Sequence, residues 1–278
     1  MARSIPEKTF EHWASMYVAH RFPLGGLWWP STGEDIHVRD LGTVPGKSLL
    51  LEAKVPEQQP NGSHKIIIDV LQLTKYLASP VPVYYVFPTP PWIGDLATSA
   101  WLGFERRADL AYRRASHRWF GEWTKVCTAA DLHAHLAATT GAKSSTLKGL
   151  PSIHWTWREF WREFRNCGSA ALPSAYIVDG PLASPSRDAL RGRLEALRRR
   201  RSRVRESQRD HFLESLRDTT RYVYVPERSS KGPEQYHLAS EDELSVSLAA
   251  LLEIETAPGL ETVANNLSVC HVPFTVLN

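Results

Sequence analysis

The chain has 278 residues, 42% hydrophobic and 23% charged, with a formal net charge of +3. This ordinary globular composition excludes disordered, collagen-like and coiled-coil-only chains and suits one large domain or a domain with an extension. Its longest apolar runs, such as residues 81–88 and 248–254, fall far short of the ~20 residues needed to cross a bilayer. The opening MARSIPEKTFEHW carries no apolar signal segment. Three cysteines, Cys127, Cys167 and Cys270, stand far apart with no CxxC, so neither a disulfide framework nor a cysteine zinc site is expected. The expectation is a reduced, cytoplasmic protein with no membrane partner.

In chain order, residues 6–22 read as a helix with Phe10, Trp13, Ala14, Tyr17 and Val18 on one side and Pro23 beyond its end. Glu7 and Glu11, four apart, share one of its faces. Residues 35–41 alternate apolar Ile36 and Val38 with polar neighbours, and Val44-Pro45-Gly46-Lys47 supplies turn chemistry before the apolar run 49–55. A two-stranded hairpin is expected there. Residues 65–78 start extended and become helical, with Asp69, Gln72 and Tyr76 on one face. The run 81–88 is β-branched and aromatic and suits a buried strand. A helix is expected over 108–116, a strand over 124–127 and a helix over 130–138. The order helix, hairpin, helix, strand, helix, strand, helix indicates α/β with a mixed sheet.

The pattern changes past Gly141. Residues 143–151 read as a Ser/Lys/Gly linker, which sets a soft domain boundary near residue 145: 1–145 and 146–278. In 155–165 the aromatics Trp157, Phe160, Trp161 and Phe164 fall on one helical face, which suits core or a contact with a second copy or a partner protein. The net charge also divides unevenly. Residues 187–209 hold ten arginines against three acids, whereas from Glu234 onward seven acids stand with no lysine or arginine. An arginine-rich helix is expected over about 187–217, its stripe of Leu190, Leu194, Leu197 and Val204 packed inward and an acidic segment following it. Arg198, Arg199, Arg200, Arg201, Arg203 and Arg205 are its candidate phosphate contacts, since arginine density suits a nucleic acid. The ordinary alternative is a solvated helix or one paired with the acidic tail.

No GxxxxGK[ST], GxGxxG or GxSxG occurs, so P-loop, dinucleotide and serine-hydrolase chemistry have no support. His133 and His135, two apart without HExxH, read as ordinary polar positions. One constellation does carry chemistry. Glu52 and Lys54 are two apart on a strand and share a face, and the expected hairpin returns Asp35 beside them. Two carboxylates converging with a lysine suit Mg²⁺ or Mn²⁺, which takes one or two carboxylates and keeps several waters.

At Gly33-Glu34-Asp35-Ile36-His37-Val38, at Leu49-Leu50-Leu51-Glu52-Ala53-Lys54-Val55 and at Gln72-Leu73-Thr74-Lys75-Tyr76, the sequence resembles the PD-(D/E)xK nuclease superfamily. The resemblance covers roughly residues 5–140. It implies a restriction-endonuclease-like mixed central sheet flanked by helices, followed here by a mainly helical C-terminal extension. It also implies Asp35 and Glu52 as metal ligands, Lys54 as the catalytic lysine, and Gln72 and Tyr76 lining the site. Glu11 or Glu7 would be the acid of the opening helix. No proline precedes Asp35, and Glu34 beside it is the alternative ligand. The function expected is a metal-dependent nuclease, DNA ahead of RNA, in a bacterial defence, restriction or DNA-processing setting. The competing expectation is a catalytically silent nuclease-like binding module within a larger nucleic-acid-associated assembly.

Overall fold

The computed structural model describes residues 6–22, 25–28, 44–61, 64–88, 121, 124–136, 143–166, 172–227, 235–244 and 267–277. The chain begins with α1 (Glu7–Arg21), β1 (Gly26–Trp28) and β2 (Gly46–Ala53), then the short strands β3 (Glu57–Gln58), β4 (His64–Lys65) and β5 (Ile67–Asp69). Next come α2 (Val70–Ala78), β6 (Val83–Pro88), β7 (Thr124–Thr128), α3 (Ala129–Leu136), β8 (Ser144–Thr146), β9 (Trp155–Thr156) and α4 (Trp157–Arg165). The rest holds β10 (Ala175–Val178), α5 (Arg187–Arg203), α6 (Arg209–Arg217), β11 (Tyr222–Pro226), β12 (Tyr236–Leu238) and β13 (Leu267–Pro273). The protein is mixed α/β. The expected strand 35–41, with Glu34 and Asp35, and the expected helix 108–116 lie outside the described residues.

The molecule divides into two compact units that interleave along the chain. The first draws on residues 1–17, 52–77 and 84–162. Within it β6, β7 and β9 pair antiparallel, with Val86 opposite Val126 and Lys125 opposite Thr156, and β5 pairs with β8. Residues 144–146, expected in a linker, therefore form a strand, and residue 145 falls inside this unit. The core is aromatic: the Trp157 ring meets Tyr17 edge-on at 5.6 Å and Phe160 meets Tyr84 at 5.1 Å. Such offset and edge contacts follow from the ring quadrupole.

That packing corrects one expectation. Trp157, Phe160, Trp161 and Phe164 are all at most 1% exposed, so the aromatic face of α4 is core and offers no surface to a second copy or a partner. Its period defines the face, and the face is filled from within the chain.

The second unit draws on residues 18–51, 78–83 and 163–278. Here β12, β11, β10 and β2 pair in that order, while β13 pairs with both β2 and β1. The C-terminal region expected to be mainly helical, 146–278, holds α4, α5 and α6 among its described residues, and with them the strands β9 to β13. A Cβ at Gly46 would collide with the Val272 carbonyl, so only glycine admits β13 at this point. His271 is fully buried, its Nε2–H donating to the Val44 carbonyl at 2.9 Å and its Nδ1 accepting from the Ser48 hydroxyl at 2.9 Å. Burial pushes this imidazole down to about 4. Lys47, also buried, donates to the Phe164 carbonyl at 2.8 Å with its ammonium 4.5 Å from the Phe164 ring centre.

All eight residues of β2 are buried, polar Lys47, Ser48 and Glu52 among them. A strand covered on both faces reads as a near-continuous apolar run, here Leu49-Leu50-Leu51. β6 lies beside it in parallel: Leu50 N–H donates to Pro82 and, four residues further along each strand, Lys54 N–H donates to Val86. The helix α2 makes the crossover between these two strands, the connection that parallel pairing requires. Among the described residues no helix is long and apolar enough to cross a membrane.

Candidate active site

The end of β2, the start of α2, one face of α1 and a tyrosine of β6 meet within the first unit. Glu52 and Lys54, two apart and on one face, form an ion pair of 2.7 Å from Nζ to Oε1. The Glu52 side chain is fully buried and that of Lys54 is 15% exposed. Taking a carboxylate out of water is expensive unless donors replace the lost hydration. Lys54 supplies one such donor and Tyr76 the other, its hydroxyl donating to Glu52 Oε2 at 2.8 Å.

Local sequence sets this geometry. Asp69 Oδ1 accepts the Gln72 backbone N–H at 2.9 Å, the capping bond that starts α2. One turn of helix then stacks Gln72 over Tyr76, and Gln72 Nε2 donates to the Tyr76 hydroxyl at 2.6 Å. A relay of Gln72 to Tyr76 to Glu52 therefore fixes the carboxylate plane and leaves Oε1 facing Lys54. Tyr76 is driven well above the ordinary phenol range by burial and by the negative charge of Glu52. Tyr85 of β6 is driven up by the same two causes, and its buried hydroxyl makes no hydrogen bond. For Lys54 burial acts downward, but the charge and hydrogen bond of Glu52, helped by Glu7 and Asp69, prevail and hold the ammonium above its usual value.

Both acids of α1 join the cluster electrostatically. Burial raises Glu7 to about 7, with Lys54 opposing and the charges of Glu52 and Glu11 adding to the rise. Glu11 is raised chiefly by burial, against the ammonium of Lys8, which donates to its Oε2 at 2.9 Å. Among the described residues the buried Oε1 atoms of Glu7 and Glu11 have no hydrogen-bond partner. Three carboxylates thus share a poorly solvated region whose buried cation is Lys54.

The structure brings together Glu52, Lys54, Gln72, Tyr76, Glu7 and Glu11. Asp35 and Glu34 lie outside the described residues. Sequence reasoning put Asp69 on the right helix face without giving it a role, and it missed Tyr85. A tyrosine in an apolar strand reads as core, and only its hydroxyl hinted at a polar neighbour. Among the described residues no three or more His, Cys, Asp or Glu side chains are grouped so that they could hold a metal ion. Arg198, Arg199, Arg200, Arg203 and Arg205 are exposed at the end of α5 and just beyond it, with Arg201 half-buried among them.

Chemically, the cluster sets a fully buried carboxylate against an ammonium and a phenol, with the two acids of α1 felt electrostatically. Comparison with protein-family models, with curated proteins and with solved structures gives no match.

Proposed function

We propose that the protein is a metal-dependent nuclease that hydrolyses phosphodiester bonds, DNA ahead of RNA, in a bacterial defence, restriction or DNA-processing setting. One observation carries the reading. A fully buried glutamate is ion-paired with a lysine and held by a tyrosine hydroxyl, while among the described residues the buried Oε1 atoms of Glu7 and Glu11 have no hydrogen-bond partner. A divalent cation would supply what those oxygens lack, and Mg²⁺ needs only one or two carboxylates with water filling the remainder. Glu52 would hold it together with Asp35, the partner that the sequence resemblance implies, and Glu11 or Glu7 would serve as an outer ligand. Bound there, Mg²⁺ or Mn²⁺ would polarise the phosphodiester and make a nucleophile of a bound water.

The chain's own groups do the rest. Lys54 stabilises charge developing on the phosphate oxygens or orients the attacking water, in a site where burial strengthens its field. Tyr76 and Gln72 hold the Glu52 carboxylate in one rotamer, so the ligand is positioned before substrate arrives. The test is cleavage of supercoiled plasmid, linear duplex, single-stranded DNA and RNA with Mg²⁺, Mn²⁺ or EDTA. Glu52→Gln and Lys54→Met should each lower cutting by about 10²-fold or more while the far-ultraviolet spectrum stays unchanged. A folded Glu52→Gln protein that cuts like the wild type would end the assignment.

A further inference from the structure

The second unit carries a feature that the nuclease reading does not use. Helix α5 is electrically divided. In its first half two arginines meet carboxylates: Arg193 lies 2.7 Å from Asp179, and Arg191 lies 3.5 Å from Asp188 and 3.6 Å from Glu195. From residue 198 to residue 205 the sequence is Arg-Arg-Arg-Arg-Ser-Arg-Val-Arg, with no acid. Among the described residues none of these six arginines pairs with a carboxylate, and the next acid, Glu206, lies 3.6 Å from Arg209 instead.

Packing does not explain this run. Leu190, Leu194 and Leu197 bury the apolar stripe of α5 and end where the arginine run begins. Arg198, Arg199, Arg200, Arg203 and Arg205 are exposed. Within the helix, Arg198 and Arg201 stand three apart and Arg199 and Arg203 four apart, so like charges face each other and oppose the helix that carries them. A helix C-terminus favours cations, but that effect is confined to the last turn and does not call for this many.

Other elements add to the same field. Burial first, and then the positive charges of Arg21, the last residue of α1, and of Arg198, hold Arg165, the last residue of α4, below its usual value. Its Nε is held by the Val276 carbonyl at 3.1 Å. Arg200 is steadied from α6, its guanidinium 5.7 Å from the Phe212 ring centre. The fold therefore gathers cations from three helices that lie far apart in sequence, and fixes two of them in place.

We propose that the end of α5, with Arg21 and Arg165 beside it, is a docking surface for the phosphate backbone of a nucleic acid, read without regard to base sequence. The proposal rests on the nucleic-acid reading above for the kind of polyanion. Phosphate matches the planar guanidinium fork bidentately, and repeated phosphates along a strand match repeated arginines along a helix. Closely spaced cations that pair with no carboxylate among the described residues are also what releases condensed counterions on binding.

The experiment measures binding of a fluorescein-labelled duplex of about 20 base pairs, and of the matching single strand and RNA duplex, in EDTA over a range of salt. Three proteins are compared: wild type, a variant with Arg198, Arg199, Arg200, Arg203 and Arg205 changed to Gln, and one with the same five changed to Lys. Each phosphate contact contributes about 0.9 to the slope of log affinity against log salt, so the Gln variant, which removes five arginines, should flatten it by up to about 4.5 and weaken binding tenfold or more at ~0.1 M salt. The Lys variant should keep most of the slope, since it keeps the charge. Circular dichroism confirms that the exposed substitutions leave the fold intact. A folded Gln variant with the wild-type slope overturns the proposal, as does polyglutamate binding more tightly than the duplex. The outcome is separable from catalysis. Loss of cutting in Glu52→Gln with no change of slope in the Gln variant would leave the nuclease and remove this surface, and the reverse pair of results would do the opposite.

Discussion

Glu52 is where sequence, burial and chemistry meet in one side chain. Its carboxylate has no contact with water, so its stability depends on Lys54 at Oε1 and on the Tyr76 hydroxyl at Oε2. Tyr76→Phe removes the second donor without changing the ring. A buried acceptor left unsatisfied costs about 1–3 kcal/mol, so this variant should be destabilised by that amount in urea and should also cut more slowly. His271 gives a second residue-scale prediction. Burial, the largest influence, and the charge of Arg221 both lower its affinity for a proton, while its bond to the Val44 carbonyl acts the other way. With a folded value of about 4 against 6.5 when unfolded, the unfolded chain binds the proton first as pH falls. The neutral ring's contribution is complete above pH 6.5 and is lost as the pH drops toward 4, roughly 3 kcal/mol over the window. Urea unfolding of wild type and His271→Gln at several pH values checks the sign. The gap between the two proteins should narrow steadily as the solution is acidified.

At the scale of elements, α4 shows what a period can and cannot say. The spacing of Trp157, Phe160, Trp161 and Phe164 defines a helix and its apolar face. Burying that face inside the chain or against another protein obeys the same period, and only the structure decides for the core. Phe160→Ala should therefore cost about 3–5 kcal/mol in a thermal or urea melt of the monomer, whereas an interface residue would change association and leave the isolated fold nearly unaffected. Strands β10, β11 and β13 were not legible for a related reason. Ala175–Val178, Tyr222–Pro226 and Leu267–Pro273 are short apolar runs without alternation, which mark a strand buried on both faces as readily as a stretch of buried helix. The helix expected over about 187–217 is legible at its start, where the leucine stripe marks α5, but it is broken: α5 ends at Arg203, Val204 is extended as its C-cap, and α6 starts at Arg209. The Ser186 hydroxyl caps α5 by accepting the Ala189 N–H at 3.2 Å.

For the whole molecule, a single cut along the chain does not describe the organisation. β2 pairs with β10 and β13, which follow it by more than a hundred residues, so composition near residue 145 carries no trace of how the units close. The candidate site was more legible than the fold around it, because its chemistry sits in short spacings. Glu52 and Lys54 are two apart, Gln72 and Tyr76 four apart, and Glu7 and Glu11 four apart, each pair sharing a face by strand or helix geometry. What those spacings could not supply was the tertiary meeting of β2, α2 and α1, or the Tyr85 hydroxyl at their edge. The charge contrast between the arginine run and the acidic end was legible as composition. That the arginines are joined by Arg21 and Arg165 from other helices was not.

The central claim is that the carboxylates around Glu52 hold a divalent metal for phosphodiester hydrolysis, and one measurement tests it most directly. Purified wild type and Glu52→Gln are incubated with supercoiled plasmid in Mg²⁺, in Mn²⁺ and in EDTA, with single-stranded DNA and RNA alongside. Wild type should nick or linearise the plasmid with either metal and not in EDTA, and Glu52→Gln should lose about 10²-fold or more of the cutting. Cutting that persists in EDTA or in a folded Glu52→Gln protein would contradict it, and so would wild type that binds these nucleic acids tightly in Mg²⁺ and Mn²⁺ and cuts none of them.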